Sequence, residues 1–148
     1  MISVIIHTAT EELLQVCQIR VKDELPEVTA NIVFEANGLD PADYTVRGFD
    51  ADYTTNKFKK FCYIENLTPY NKGLISAQVD KKEITADGVD KATISNCPEG
   101  ALVYFNKELA GTVGSDGVVE VSSQVPKVFR VVIEKKEFQT ERITINAT

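Results

Sequence analysis

The strongest constraint on this chain is a succession of short apolar segments, each closed by turn chemistry, over roughly its last 65 residues. Segments 83–86, 91–96, 101–106, 109–113, 118–122, 128–134 and 140–146 read as strands. Between them stand Asp87-Gly88, Cys97-Pro98-Glu99-Gly100, Lys107-Glu108, Gly114-Ser115-Asp116-Gly117, Val125-Pro126 and the polar stretch 135–139. Alternation supports strands. Phe129, Val131 and Ile133 point one way and Arg130, Val132 and Glu134 the other; Ile143 and Ile145 oppose Arg142, Thr144 and Asn146. One dry and one wet face is what an antiparallel sandwich sheet requires. Seven such strands predict a β-sandwich over residues 81–148.

The first 80 residues are less regular. Residues 2–7 form an apolar run. Within 13–21, Cys17, Ile19 and Val21 alternate with Gln18, Arg20 and Lys22, which suggests a β-hairpin pairing 2–7 with 13–20. Thr8 with Glu11 resembles a helix capping box, so a short helix across 11–22 stays open. Asp23-Glu24-Leu25-Pro26-Glu27 reads as a connection, 29–35 as a strand, Asn37-Gly38 as a turn, 44–49 as a strand and 50–57 as a polar loop. Residues 58–67 are apolar-rich, 68–73 read as a turn, and 74–79 lead out. The boundary is expected near Asp80-Lys81-Lys82, giving a β-rich, alternatively α+β, domain at 1–80.

Charge and length narrow the function. In 148 residues the net charge is −6; residues 1–80 carry seven Lys/Arg against twelve Asp/Glu, and 81–148 nine against ten. Neither half has the basic footprint of a nucleic-acid binder, and an acidic balance disfavours anionic membranes. No apolar run approaches the roughly 20 residues of a membrane span, and the first residues lack the basic region and cleavage site of a secretion signal. Cys17, Cys62 and Cys97 are odd in number and widely spaced, so they read as reduced, mostly buried thiols. The two Asn-X-Thr matches at Asn66 and Asn146 read as chance. Two small domains would each have a thin core, which suits a chain stabilised in an assembly.

Two runs carry a resemblance. Residues 84–94, Ile-Thr-Ala-Asp-Gly-Val-Asp-Lys-Ala-Thr-Ile, resemble the opening of bacterial immunoglobulin-like, invasin-type domains. Residues 98–112, from Pro98-Glu99-Gly100-Ala101 to Gly111-Thr112, with the later 128–138, resemble the PEGA-type surface module. Both families are small non-catalytic β-sandwiches, so the resemblance implies an immunoglobulin-like domain of seven strands. The layout is also similar to short bacteriophage proteins encoded near tail-fibre genes. That likeness implies a virion protein, made in the host bacterial cytoplasm, whose partners are tail, fibre or capsid proteins or further copies of itself. The readings beside it are a fibre-assembly chaperone absent from the particle and a carbohydrate-binding module for host surface glycans.

Catalytic chemistry has little to build on. His7 is the single histidine and reads as a satisfied strand-end residue. Asp50, Asp52 and Glu65 are candidate carboxylates, but Asp50-Ala51-Asp52 reads equally as a solvated loop or a weak calcium site. Asp87, Asp90 and Asp116 are expected to bond their own turns. Gly111-Thr112-Val113-Gly114 lacks the lysine of a phosphate loop. No catalytic residue, metal or cofactor is therefore assigned. The remaining signal is aromatic. Seven of the twelve aromatic residues lie between 44 and 70, with Lys57, Lys59 and Lys60 interleaved. Tyr53, Phe58, Phe61, Tyr63 and Tyr70 are the candidate interaction surface, read either as core or as interface anchors. Sugar stacking on Tyr53, Tyr63 or Tyr70 is a further option.

Overall fold

The computed structural model describes residues 1–18, 26–51 and 53–148. About half of the chain is strand, and the protein is mostly β. It divides into two compact units, Met1–Lys72 and Gly73–Thr148. The division falls at Gly73 rather than near Asp80 because residues 73–79 supply strands to the second unit.

The first unit is built around a strand with no wet face. Strand β1 (Ile2–His7) is buried from Ile2 to Ile6. It lies between β2 (Leu13–Gln18) and β3 (Tyr44–Phe49), antiparallel to both. Ile2, Val4 and Ile6 face one side, with Val16, Phe58, Cys62 and Ile64. Ile5 faces the other, with Ala30 and Phe34. Covering on both faces explains why β1 reads as a continuous apolar run rather than an alternating one. A bulge between Ile5 and Ile6 sets Ile6 opposite Leu13 and leaves Leu14 exposed. The expected hairpin is present; its last two residues, 19 and 20, and positions 21–22 of the helical alternative lie outside the described residues.

Helix α1 (Pro26–Asn37) replaces the strand expected at 29–35. Pro26 suits the first helical position. Ala30, Val33 and Phe34 follow helical spacing onto the sheet, while Ile32 stands in solvent. Asn37-Gly38 ends this helix instead of making a hairpin. Gly38 has φ of 63°, its N–H donates to Glu35 O, and Leu39 N donates to Phe34 O at 3.0 Å. That is a Schellman cap, with Leu39 packed beside Phe34. The start of the helix rests on Ser3 and Gly48, which are paired across β1 and β3. Buried Ser3 Oγ donates to Pro26 O at 2.7 Å, and a Cβ at Gly48 would meet the Pro26 ring at 3.0 Å. The connection expected over 23–27 becomes helical at Pro26; 23–25 are not among the described residues.

After a 3-10 turn (Pro41–Asp43) and β3, the stretch expected as a polar loop gives rise to α2 (Thr55–Phe61). Thr54 caps it by accepting from Lys57 N, and Phe58 fills the core. Strands β4 (Cys62–Glu65) and β5 (Thr68–Asn71) form a hairpin over the same sheet face. Its turn is Asn66-Leu67, at φ of 48° and 55°, so the turn expected at 68–73 falls earlier. Pro69 opposes Ile64, the pair after the one that closes the turn. In a two-residue hairpin that pair exchanges no hydrogen bonds, so the missing proline N–H costs nothing.

The second unit is a β-sandwich of two facing sheets. Its strands in order are β6 (Gly73–Leu74), β7 (Gln78–Val79), β8 (Glu83–Ile84), β9 (Lys91–Ser95), β10 (Leu102–Phe105), β11 (Glu108–Thr112), β12 (Val119–Ser122), β13 (Lys127–Glu134), β14 (Phe138–Gln139) and β15 (Glu141–Ala147). One sheet runs β11-β10-β13-β15-β8 and the other β12-β9-β7. The first strand is split: β7 pairs antiparallel with β9, and β8 pairs parallel with the last strand, β15. Inward residues of both sheets make one core that includes Ile94, Val121, Val103, Val131, Ile133 and Ile145. The turn expected at Lys107-Glu108 is Asn106-Lys107, both at positive φ. Asn106 is pinned to β13 through Arg130, donating from its N–H and accepting at Oδ1.

Removing volume should separate core from edge. Ile133 is fully buried and Leu109 on the edge strand β11 is 60% exposed. Ile133→Ala should cost about 2–5 kcal/mol in denaturant unfolding and Leu109→Ala less than about 0.5 kcal/mol.

Candidate functional site

The structure splits the five predicted aromatics into three settings. Phe58 is 1% exposed, edge-on to Phe49, and belongs to the core, so it is removed from the candidate surface. Its place follows from α2, which turns Phe58 toward the sheet while Lys57, Lys59 and Lys60 stay in solvent. Tyr53 and Phe61 are half-buried. Their rings lie 5.9 Å apart at the rim of the same core, and Lys60 Nζ sits 5.1 Å over the Phe61 ring. Tyr63 and Tyr70 face each other across β4 and β5 with stacked rings 5.4 Å apart, and Tyr70 is 43% exposed. Together α2 and the hairpin cover this face of the sheet and carry these aromatics, with exposed Lys57, Lys59 and Lys60 on α2. Lys72 Nζ donates to Lys59 O at 3.2 Å, tying the end of the hairpin to the helix.

At the end of the sheet where β1 stops, His7 sits edge-on to Tyr44 at 5.4 Å, and Tyr44 stacks on Phe34. His7 Nδ1 accepts from Thr10 N–H at 3.3 Å and lies 3.2 Å from Thr10 Oγ1, which donates to Glu12 Oε2. His7, Thr10, Glu12, Leu13, Leu14 and Tyr44 line an open hollow of about 200 Å³. The strand-end reading of His7 thus holds locally: its ring nitrogen is engaged by its own turn. Glu11, Glu12, Asp40 and Asp43 stand around this end, all exposed. Asp50 and Glu65 are also exposed, at the ends of β3 and β4. Asp52 lies outside the described residues. Among the described residues, no three His, Cys, Asp or Glu side chains converge at metal-binding distance.

In the second unit the turn carboxylates bond backbone. Asp87 Oδ1 accepts from the N–H groups of Asp90 and Val89, both at 2.8 Å. Those bonds hold its carboxyl below the usual carboxylate range. Asp90 is held low first by the Lys81 ammonium and then by the Thr85 N–H, and Lys81 is pushed up in return. Asp80 accepts from Thr93 N and Lys81 N, which likewise lower it. Asp116 accepts from Val118 N. The Ala-Asp-Gly-Val-Asp run is therefore a self-bonded loop whose Asp90 also holds Lys81, and Asp80 joins the first strand to β9 through Thr93 N–H. Burial pushes the three thiols up, with Lys72 opposing it at Cys62, so little nucleophilic thiolate forms.

The chain matches no protein-family model and shows no significant similarity to a curated protein or a solved structure.

Sequence reasoning missed the acidic sheet end because its carboxylates come from two loops separated by α1. The available signal was the absence of any base in both 8–12 and 39–45.

Two outcomes follow. Phe58→Ala should cost about 3–5 kcal/mol in chemical unfolding and Tyr70→Ala within about 0.5 kcal/mol, which separates core from surface. Because Asp80, Asp87 and Asp90 have lowered folded values, their contribution is complete above the unfolded carboxyl value of about 3.9 and is lost as pH falls through the folded values. Protection of the β9 amides, relative to the intrinsic exchange rate at each pH, should therefore fall on acidification below about pH 4, and Asp87→Asn should weaken that dependence.

Proposed function

We propose that this chain is a non-enzymatic attachment protein of a bacteriophage particle, associated with the tail or its fibres. The Met1–Lys72 unit docks to neighbouring virion proteins, and the immunoglobulin-like unit projects or packs against another subunit. The observation that carries the reading is the outer layer of the first unit. Half-buried Tyr53 and Phe61, the Tyr63–Tyr70 stack and the surrounding lysines resemble the aromatic anchors and polar rim of a protein interface. The likeness of residues 84–94 and 98–112 to surface-displayed sandwich modules supports the second half, as fold-level analogy. The mechanism is burial of preformed apolar surface, with no bond made or broken.

The stacked, partly exposed tyrosines favour one second reading, a glycan-binding module, because aromatic faces also stack on sugar rings. Tyr70→Ala would then remove glycan binding while the chain stays folded, since Tyr70 is the more exposed member of the stack.

Quantitative mass spectrometry of particles purified from the encoding phage tests the main reading. Copies in fixed ratio to a tail protein are expected. Abundance in the lysate with absence from particles would replace it with an assembly chaperone.

A further inference from the structure

The first unit carries two surfaces of opposite charge on different parts of its fold. Lys57, Lys59, Lys60 and Lys72 lie on the layer made by α2 and the β4–β5 hairpin. They are four of the seven basic residues in the first 80, in a chain of net charge −6. Among the described residues, the ion pairs are Lys81–Asp90 and Lys91–Glu120, so no carboxylate neutralises these four. Lys60 and Lys72 instead rest on the Phe61 ring and the Lys59 carbonyl. The Phe61 ring beneath Lys60 adds apolar contact area.

The complementary surface is the sheet end. Glu11 and Glu12 stand on the loop after β1 and Asp40 and Asp43 on the loop before β3; Thr8 N donates to Asp43 O and holds the two loops side by side, while His7 N donates to Glu12 O and closes its own turn. At the same sheet end opens the hollow of about 200 Å³, with Leu13, Leu14 and Tyr44 as apolar wall and Glu12 as the one carboxylate lining it. A lysine side chain fits this chemistry: its methylene stem lies against the apolar wall and its ammonium meets the carboxylate.

We propose that the chain associates head to tail with a second copy of itself, the lysine–aromatic layer of one copy seating on the acidic sheet end of the next, with Lys59 or Lys60 entering the hollow. Charge complementarity selects this occupant, since both halves of the contact are present on the one unit. Such a contact is heterologous, so it closes into a ring or runs on as a filament, according to the rotation between copies. The contact is a property of the isolated chain and stands apart from whether the chain is carried on a particle.

The test is sedimentation of the full chain over a concentration series at low and high salt. Wild type is expected to associate at about 0.01 M salt and to weaken at least about tenfold at about 1 M, as the Debye length falls from about 30 Å to about 3 Å. Lys59→Glu with Lys60→Glu, and separately Glu11→Lys with Glu12→Lys, should each abolish association without lowering the melting temperature. The chain carrying all four changes should associate again. Lys59→Gln with Lys60→Gln should weaken association less than the reversal. A wild type that stays monomeric at low salt, or reversal variants that associate like wild type, would overturn the proposal. So would monomeric wild type whose lysines retain it on a polyanion column, which would assign the face to nucleic acid.

Discussion

The first unit depends on burying both faces of β1. A three-stranded sheet offers little core by itself, and a central strand covered on one side would leave Ile5 or the Ile2, Val4 and Ile6 set in water. Covering both sides demands two independent caps, and the chain supplies them in order: α1 on one face, then α2 with the β4–β5 hairpin on the other. Each cap is fixed by a specific contact. Ser3 and Gly48 receive the start of α1, and Phe58 keys α2 into the Ile2, Val4 and Ile6 face. The outer side of the second cap is then held rigidly in place, which is what an interface needs if binding is not to carry a large ordering cost.

The second unit meets the same problem by another route. Two sheets share one core, and the split first strand closes the sandwich by joining β9 on one side and β15 on the other. The point where the strand changes sheets is held by Asp80, which accepts from Thr93 N–H, and by Asp90, which accepts from Thr85 N–H and pairs with Lys81, while Asp87 closes the turn before β9. Carboxylates that would read as chemistry in another context are structural here.

Much of this was legible in the sequence and some was not, for local reasons. The sandwich was readable because its turns carry Gly, Asp and Pro and its strands alternate cleanly. Phe129, Val131 and Ile133 were expected inward and are buried. Helix α1 was misread because Ile32-Val33-Phe34 looks like strand, and only the tertiary sheet contact of Ala30, Val33 and Phe34 decides for helix. Asn37-Gly38 is a strong hairpin signal, yet an αL glycine serves a helix end equally well. Asn66-Leu67 gave no warning, because leucine at positive φ is tolerated there only once the strands on either side are paired. Within the aromatic set, Phe58 could not be told from Phe61 without the helix that turns one in and leaves the other at the rim.

The central claim is that the outer layer of the first unit is the contact face, while β1 and the sandwich core are scaffold. Amide hydrogen exchange on the full chain, compared between its dispersed and assembled forms, tests this directly. The account predicts added protection over 57–72 and over 8–14 with 40–44, and unchanged slow exchange in β1, β13 and β15. Protection that appears instead along the exposed edge strand β11, with 57–72 unchanged, would contradict it and place attachment on the sandwich.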